Sequence, residues 1–384
     1  MPIIKSGVQY SGKWTKSQQM QAIAAGTWPS PPLYRELYGV GENSSGQLGQ
    51  GSTSLGISSI VQVGSLNTWN DFSASEASSF AVKNDGTLWS WGVNNWGQLG
   101  QGNTTNYSSP VQVGALTTWS KVASYGTNTY AIKTDGTLWA WGRNYYGALG
   151  LGDTTSRSAP VQIGALTNWL SIAAGSYYVL ATTTDGELYA WGYNNSGRLG
   201  LGDTTNRSSP VQVGSLTNWL QLSGDSSYTL AIKTDGTLWS WGGNTQGALG
   251  LGDTSDRSSP VQVGALTTWK YANASSFGIT TGGALYAWGA NNNGQLGLND
   301  LTGRSSPVQV GSLTNWLKAV NTNSSSAFVK TDGTLWTSGR NQRGQLGQGD
   351  TTTRSSPVQV GALTTWVDVE GGANFILAEI GVTP

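Results

Sequence analysis

Side chains able to do acid–base or nucleophilic chemistry are sparse in this 384-residue chain and poorly spaced for it. Histidine and cysteine are both absent, which removes Ser-His and Cys-His pairs, thiolate nucleophiles, disulfides and the usual zinc ligands. A hydrolase would then need paired carboxylates. The glutamates Glu36, Glu42, Glu76, Glu187, Glu370 and Glu379 occupy unrelated positions of an internal repeat, so spacing sets no such pair. Neither catalysis nor a bound cofactor is expected.

More regular are five acid–base couples four residues apart: Asp153 with Arg157, Asp203 with Arg207, Asp253 with Arg257, Asp300 with Arg304 and Asp350 with Arg354. The two copies of this loop that hold Ser52 or Asn103 in the acid position also lack the arginine, and Tyr107 replaces it in the second. Residues lost together are expected to pair. An exposed bridge of this kind is worth roughly 0–1 kcal/mol and tunes a loop. A calcium site would ask for more oxygen ligands and no arginine. Nineteen tryptophans suggest stacking platforms, yet sixteen recur at fixed repeat positions, seven ending a linker and nine on a strand, where inter-blade packing accounts for them. Trp14, Trp28 and Trp96 stand apart.

The elements that hold these residues are set by the repeat. Copies of Trp141-Gly-Arg-Asn-Tyr-Tyr-Gly-Ala-Leu-Gly150 begin at Gly41, Trp91, Trp141, Trp191, Trp241, Trp288 and Gly339, about fifty residues apart. Each is followed by Pro-Val-Gln-Val-Gly-x-Leu-x-x-Trp or a close variant, ending at Trp69, Trp119, Trp169, Trp219, Trp269, Trp316 and Trp366. Within one unit, Ser120–Ala123 predicts an inner strand, Thr129–Lys133 a second, Asp135-Gly136 a tight hairpin turn, Thr137–Trp141 a third strand and Pro160–Ile163 an outer one. Four antiparallel strands per unit make a propeller blade. After Trp366 only two strands remain, and the missing third lies at Arg35–Val40. The expectation is an all-β, seven-bladed propeller over residues 34–384, its last blade closed by both termini, which removes two open sheet edges.

Residues 1–33 precede the repeat. Thr15 and Gln18 form a capping box and Gly26 a stop for a short helix carrying Met20 and Ile23, flanked by Trp14 and Trp28 and followed by Pro29-Ser-Pro-Pro32. This reads as an attachment arm whose anchoring residues are Trp14, Met20, Ile23 and Trp28. The N-terminus lacks the apolar run of a signal peptide, and twenty basic against twenty acidic residues leave no net charge for nucleic acid. Neither nucleic acid nor membrane insertion is expected, and synthesis in the cytoplasm is.

The repeat resembles that of the regulator of chromosome condensation family: Leu88-Trp-Ser-Trp-Gly92 with Asn94, Gly97, Gln98, Leu99 and Gly100 carries its pattern, met seven times over residues 34–384. The resemblance implies a seven-bladed propeller and a spread of roles, among them nucleotide exchange, light sensing, β-lactamase inhibition and protein scaffolding. The family's usual histidine at the start of the second strand is replaced by Ser78, Asn128, Tyr178 and Tyr228, which leaves GTPase exchange and chromatin binding without residues to carry over. The leader resembles the opening of virion structural proteins of marine tailed phages.

In a blade of this plan the A–B and C–D loops emerge at one end and the Asp-Gly turns and D–A linkers at the other. The first end carries the residues that differ between repeats. Trp96, Arg143, Tyr145, Tyr146, Tyr193, Arg340 and Arg343 are the expected binding residues, with Glu76, Tyr125, Asn128, Tyr177, Tyr178 and Asp225 added by the A–B loops. The expected function is that of a non-enzymatic virion component, a capsid decoration or tail-associated adhesin. Its arm would hold other virion proteins and its variable face a host-surface protein or glycan. A cellular protein-binding or inhibitor propeller is the alternative, and a carboxylate-based glycosidase the third reading.

Overall fold

The structure, a computed structural model, describes residues 34–65, 68–274 and 276–382. The expected arm, with Trp14, Met20, Ile23, Trp28 and its helix, lies outside the described residues. Among the described residues, twenty-eight strands, β1 to β28 in chain order, form seven four-stranded antiparallel sheets. Six are consecutive, beginning with β3 (Trp69–Ala74), β4 (Ser78–Lys83), β5 (Leu88–Gly92) and β6 (Tyr107–Gln112) as blade one. The seventh pairs β27 (Trp366–Gly371) and β28 (Phe375–Val382) with β1 (Tyr34–Asn43) and β2 (Ser54–Gln62). The closing pair β1–β28 runs in unbroken register from Tyr34 opposite Val382 to Gly41 opposite Phe375. Arg35 donates to Glu379 across it at 2.8 Å, and burial pushes that carboxyl up to about 7 despite the guanidinium.

In blade two, β7 (Trp119–Tyr125), β8 (Asn128–Lys133) and β9 (Leu138–Gly142) follow the expectation within a residue or two. The outer strand β10 (Arg157–Gln162) starts three residues earlier than Pro160. A bulge sets Arg157 opposite Gly142 and Val161 opposite Ala140, and Asp153 accepts from the Arg157 guanidinium at 2.7 Å. β6 starts at the equivalent Tyr107 with the same bulge and no ion pair, so the strand start is set by the pairing register, which a proline count does not see. All five expected Asp–Arg couples form, at 2.6–2.7 Å. Where Asn103 replaces the acid, its side-chain amide donates to the Tyr107 hydroxyl at 3.1 Å.

The core lies between blades. Trp91, Trp141, Trp191, Trp241 and Trp288 are fully buried, each against the linker tryptophan of its own blade at ring separations of 5.8–6.4 Å. Trp141 Nε1 donates to Gln98 O of the preceding blade at 2.8 Å. The other strand-C position follows a rule that only the contacts disclose. Where the B strand ends in Lys83, Lys133, Lys233 or Lys330, the ring beneath the ammonium is Trp89, Trp139, Trp239 or Trp336, 3.5–5.1 Å away. Where that lysine becomes Thr183, Thr280 or Ile380, the ring is Tyr189, Tyr286 or Tyr38. The pairing fits cation–π attraction, strongest over tryptophan. Each of those tryptophans also donates its Nε1–H to the threonine of the Asp-Gly-Thr turn, itself held by the aspartate.

Candidate recognition surface

The Asn-x-x-Gly-x-Leu-Gly loop is rigid for identifiable reasons. Asn144 takes Leu149 N–H on its Oδ1 at 2.8 Å and gives its amide hydrogens to Asp153 O and Oδ1, both at 3.0 Å. Gly147 has φ +74°, and a Cβ there would stand 2.4 Å from Ser208 Cα of the next blade, so the position admits only glycine. The glutamine of the motif decides how the two variable residues are carried. Gln47, Gln98, Gln295 and Gln345 each accept the backbone N–H two residues earlier, at 2.9 Å. In the two blades where Ala148 or Ala248 replaces it, the loop takes a 3-10 turn and the second variable residue moves to positive φ, 63° at Tyr146 and 58° at Gln246. A tyrosine in that region is held there by its surroundings.

Those surroundings are aromatic. Tyr146 stacks on Tyr193 of blade three with centroids 4.2 Å apart and meets Tyr177 edge-on at 5.9 Å. Tyr177, in the turn between β11 (Trp169–Gly175) and β12 (Tyr178–Thr183), has φ 62°. The Arg143 guanidinium sits 4.3 Å from the Trp96 ring and 3.8 Å from that of Tyr145, and donates to the Tyr177 hydroxyl at 3.0 Å. Trp96 and Tyr145 touch edge to face at 5.6 Å. The result is one continuous ladder across blades one, two and three, with Trp96, Tyr145 and Tyr146 about 40% exposed, enough for a partner to reach.

Five of the seven residues expected from sequence thus converge. Arg340 and Arg343 do not: they lie on the C–D loop of blade six, after β25 (Leu335–Gly339), where Arg340 bonds Gln342 and the Arg343 backbone is held by Gln345. Two A–B residues expected on the surface are instead buried. Tyr178 donates its hydroxyl to Tyr228 O at 2.6 Å, and Asn128 to the Arg143 carbonyl. Half-buried Tyr125 donates to Asp225 at 2.9 Å, an arrangement in which burial raises both groups. Arg198 escaped the sequence reading. It stands where other blades have Gln or Ala, is buried, donates to Ser226 O at 2.6 Å and supports Tyr193 from 4.6 Å. Its replacement of the motif glutamine was the available signal.

The inner strands line an axial channel, a cavity of about 560 Å³. Its charged lining braces one inner strand to the next. Asp71 accepts from Val122 N at 2.7 Å, Gln221 bonds both backbone groups of Ala272, Tyr271 reaches Ala319 O at 2.9 Å, and Lys318 bridges Asp368 and Glu370. Burial pushes the Asp71 carboxyl up to about 7 and also raises Glu370. Lys318 is held well above its ordinary value, since Glu370 and Asp368 outweigh the burial that would lower it. Glu36 and Glu187 are engaged with Tyr38 and Tyr189 of their own blades. These carboxylates therefore serve packing and closure.

A closed ring of seven such blades, uniform at one end and varied at the other, is a repeat β-propeller. The chain belongs to the RCC1-like domain family, which it matches over residues 12–276, and it matches the regulator of chromosome condensation (RCC1) repeat at 282–328 and 332–378. Among solved structures it is similar to human WBSCR16, at 18% identity over 91% of this chain and 100% of that one, with a TM-score of 0.80. It is also similar to Prp20p from Saccharomyces cerevisiae, at 17% identity over 92% and 93% with a TM-score of 0.79, in work describing binding to Gsp1p and histones. Yeast RCC1 (Prp20) bound to Kap60 gives 16% identity over 99% and 97%, with a TM-score of 0.78. At these identities the likeness concerns the fold.

Proposed function

We propose that this chain is a non-enzymatic, protein-binding propeller whose recognition surface is the ladder on blades one to three. The observation that carries the reading is the convergence of Trp96, Arg143, Tyr145, Tyr146, Tyr177 and Tyr193 into one partly exposed assembly, at positions where no other blade places an aromatic residue. Rigid aromatic and arginine anchors concentrate binding energy because little side-chain entropy is left to lose. The family supports it: its yeast relative is described with protein partners. A protein suits the ladder better than a glycan. Tyr146 and Tyr193 use a ring face on each other, and Arg143 covers a face of Trp96 and of Tyr145, so faces a sugar would stack on are partly taken. The virion-component reading rests on the leader alone, outside the described residues, and the comparisons lend it no support.

The test is a photo-crosslinker at Tyr145 to identify the partner, followed by its Kd for wild type, for the Trp96→Ala/Tyr145→Ala/Tyr146→Ala variant and for a Gln246→Ala/Asn293→Ala control. Loss of at least about a hundredfold is expected for the first variant, from anchors worth about 2 kcal/mol each at partial additivity, and none for the control. Equal affinities for all three would overturn the reading.

A further inference from the structure

The seam between blades five and six holds an open cleft of about 530 Å³, a size typical of small-molecule sites. Its walls are mostly apolar. Leu298 of the blade-five loop, Val308 of β22 (Arg304–Gln309), Leu313 of the linker and Pro357 of β26 (Arg354–Gln359) surround the Trp316 and Trp336 rings. Two cations line the cleft, Arg304 and Lys330. Arg304 is paired with Asp300 at 2.6 Å.

Lys330 is differently placed. It ends β24 (Ser325–Lys330), is 5% exposed, and holds its ammonium 3.7 Å from the Trp336 centroid and 4.9 Å from that of Trp316. Among the described residues that ammonium makes no ion pair and no hydrogen bond. Asp332, the acid that acts on it, is engaged elsewhere: its Oδ1 accepts from the Thr334 N–H at 3.0 Å and hydroxyl at 2.6 Å, and its Oδ2 from Asn315 at 3.4 Å. Burial accordingly lowers the Lys330 pKa from the ordinary lysine value, with Asp332 opposing. A desolvated ammonium with donors to spare is stabilised by an anion.

The ammonium-over-indole arrangement recurs at Lys83, Lys133 and Lys233, so by itself it is a packing device. The wall in front of it is what differs. At those three seams the outer strand of the preceding blade is β2, β6 or β14 (Arg207–Gln212), and its last two residues are half-buried. In β22 the corresponding Val308 and Gln309 are both exposed. Of the four lysine seams, this one is opened to solvent along its apolar wall.

We propose that the cleft binds a small amphipathic monocarboxylate, its apolar body on Leu298, Val308, Leu313 and the Trp336 ring and its carboxylate on the Lys330 ammonium. One such cation among apolar walls matches a single negative charge; a phosphoryl group would call for more donors than Lys330 supplies. The site lies on blades five and six and stands independently of the ladder.

The experiment is isothermal titration calorimetry of the full chain with phenylbutyrate, its neutral amide phenylbutyramide and the cation phenylbutylamine. A Kd of about 1 mM or tighter is expected for the carboxylate, in keeping with a ligand of that size. The amide should bind at least about tenfold more weakly, since it forfeits a charge-assisted bond, and the amine not at all. Lys330→Met should weaken phenylbutyrate binding by the same factor. Val308→Trp, at an exposed strand position, should block the cleft without touching the ammonium, and Lys233→Met should leave binding unchanged. Equal affinity for carboxylate and amide would overturn the proposal, as would no heat from phenylbutyrate at several times the expected Kd, or a Val308→Trp variant that binds like wild type.

Discussion

Gly150 closes the repeated loop of blade two, and its replacement by alanine makes the sharpest test of how blades pack. Its φ is +71°, and a Cβ there would stand 2.5 Å from Trp191 Nε1 and 2.9 Å from Cδ1 and Cε2. The indole cannot retreat: it is fully buried in a cluster with Leu149, Ile163, Trp169 and Val179. Its Nε1–H has no hydrogen-bond partner among the described residues, while Ala148 O, the counterpart of the acceptor used by Trp141, accepts from the Tyr130 hydroxyl at 2.7 Å. No hydrogen bond is lost with the clash, so the cost is steric. Left-handed backbone costs a residue with a Cβ about 1 kcal/mol, and forcing a methyl into a packed core about 1–3 kcal/mol. Gly164→Ala isolates the first term, since Gly164 has φ +57° and nothing within 4 Å of its Cβ direction. Urea unfolding followed by tryptophan fluorescence should place Gly150→Ala below Gly164→Ala by about 1–3 kcal/mol at unchanged m-value. Coincident midpoints would refute the claim that blade-to-blade contact, and not backbone conformation alone, demands this glycine.

Three further outcomes are expected. Lys133→Thr and Trp139→Tyr should be coupled by about 0.5–2 kcal/mol in a double-mutant cycle, since the ammonium lies 3.6 Å from the ring centroid; additive losses would make the lysine–tryptophan rule accidental. Stability should fall as pH rises from about 4 to about 7, because Asp71 and Glu379 have folded values of about 7, above their unfolded ones, so the native state holds more protons in that window. Asp71→Asn keeps an acceptor for Val122 N–H and should flatten this slope while raising the thermal midpoint at pH 8; a lower midpoint there would refute it. At pH 8, where Glu379 is largely ionised, Arg35→Ala should be destabilising, as it leaves that carboxylate, 1% exposed, without its cation across the closing strands, and a thermal midpoint within a degree of wild type would count against the closure pair.

Several residues show where sequence reasoning reached and where it stopped. The Asp153–Arg157 pair was legible because its members vanish together, and the bulge beside it was not, because pairing register is a property of two strands. Tyr178 looked like a displayed loop residue, yet its blade places it against Tyr228 of the next. Arg198 is placed against Tyr193 by the packing of the loop, a contact that the spacing within a repeat does not encode.

The blade count, the strand order within a blade, the closure of the ring through both termini and the end at which repeats differ are legible in the residues alone, because all follow from local periodicity and turn chemistry. Which variable residues meet, and that Arg340 and Arg343 stand apart from the ladder, is set by the packing of one blade on the next. Those outcomes depend on the rotation from one blade to the next, which brings residues about fifty positions apart into contact and leaves no trace in the spacing within a single repeat.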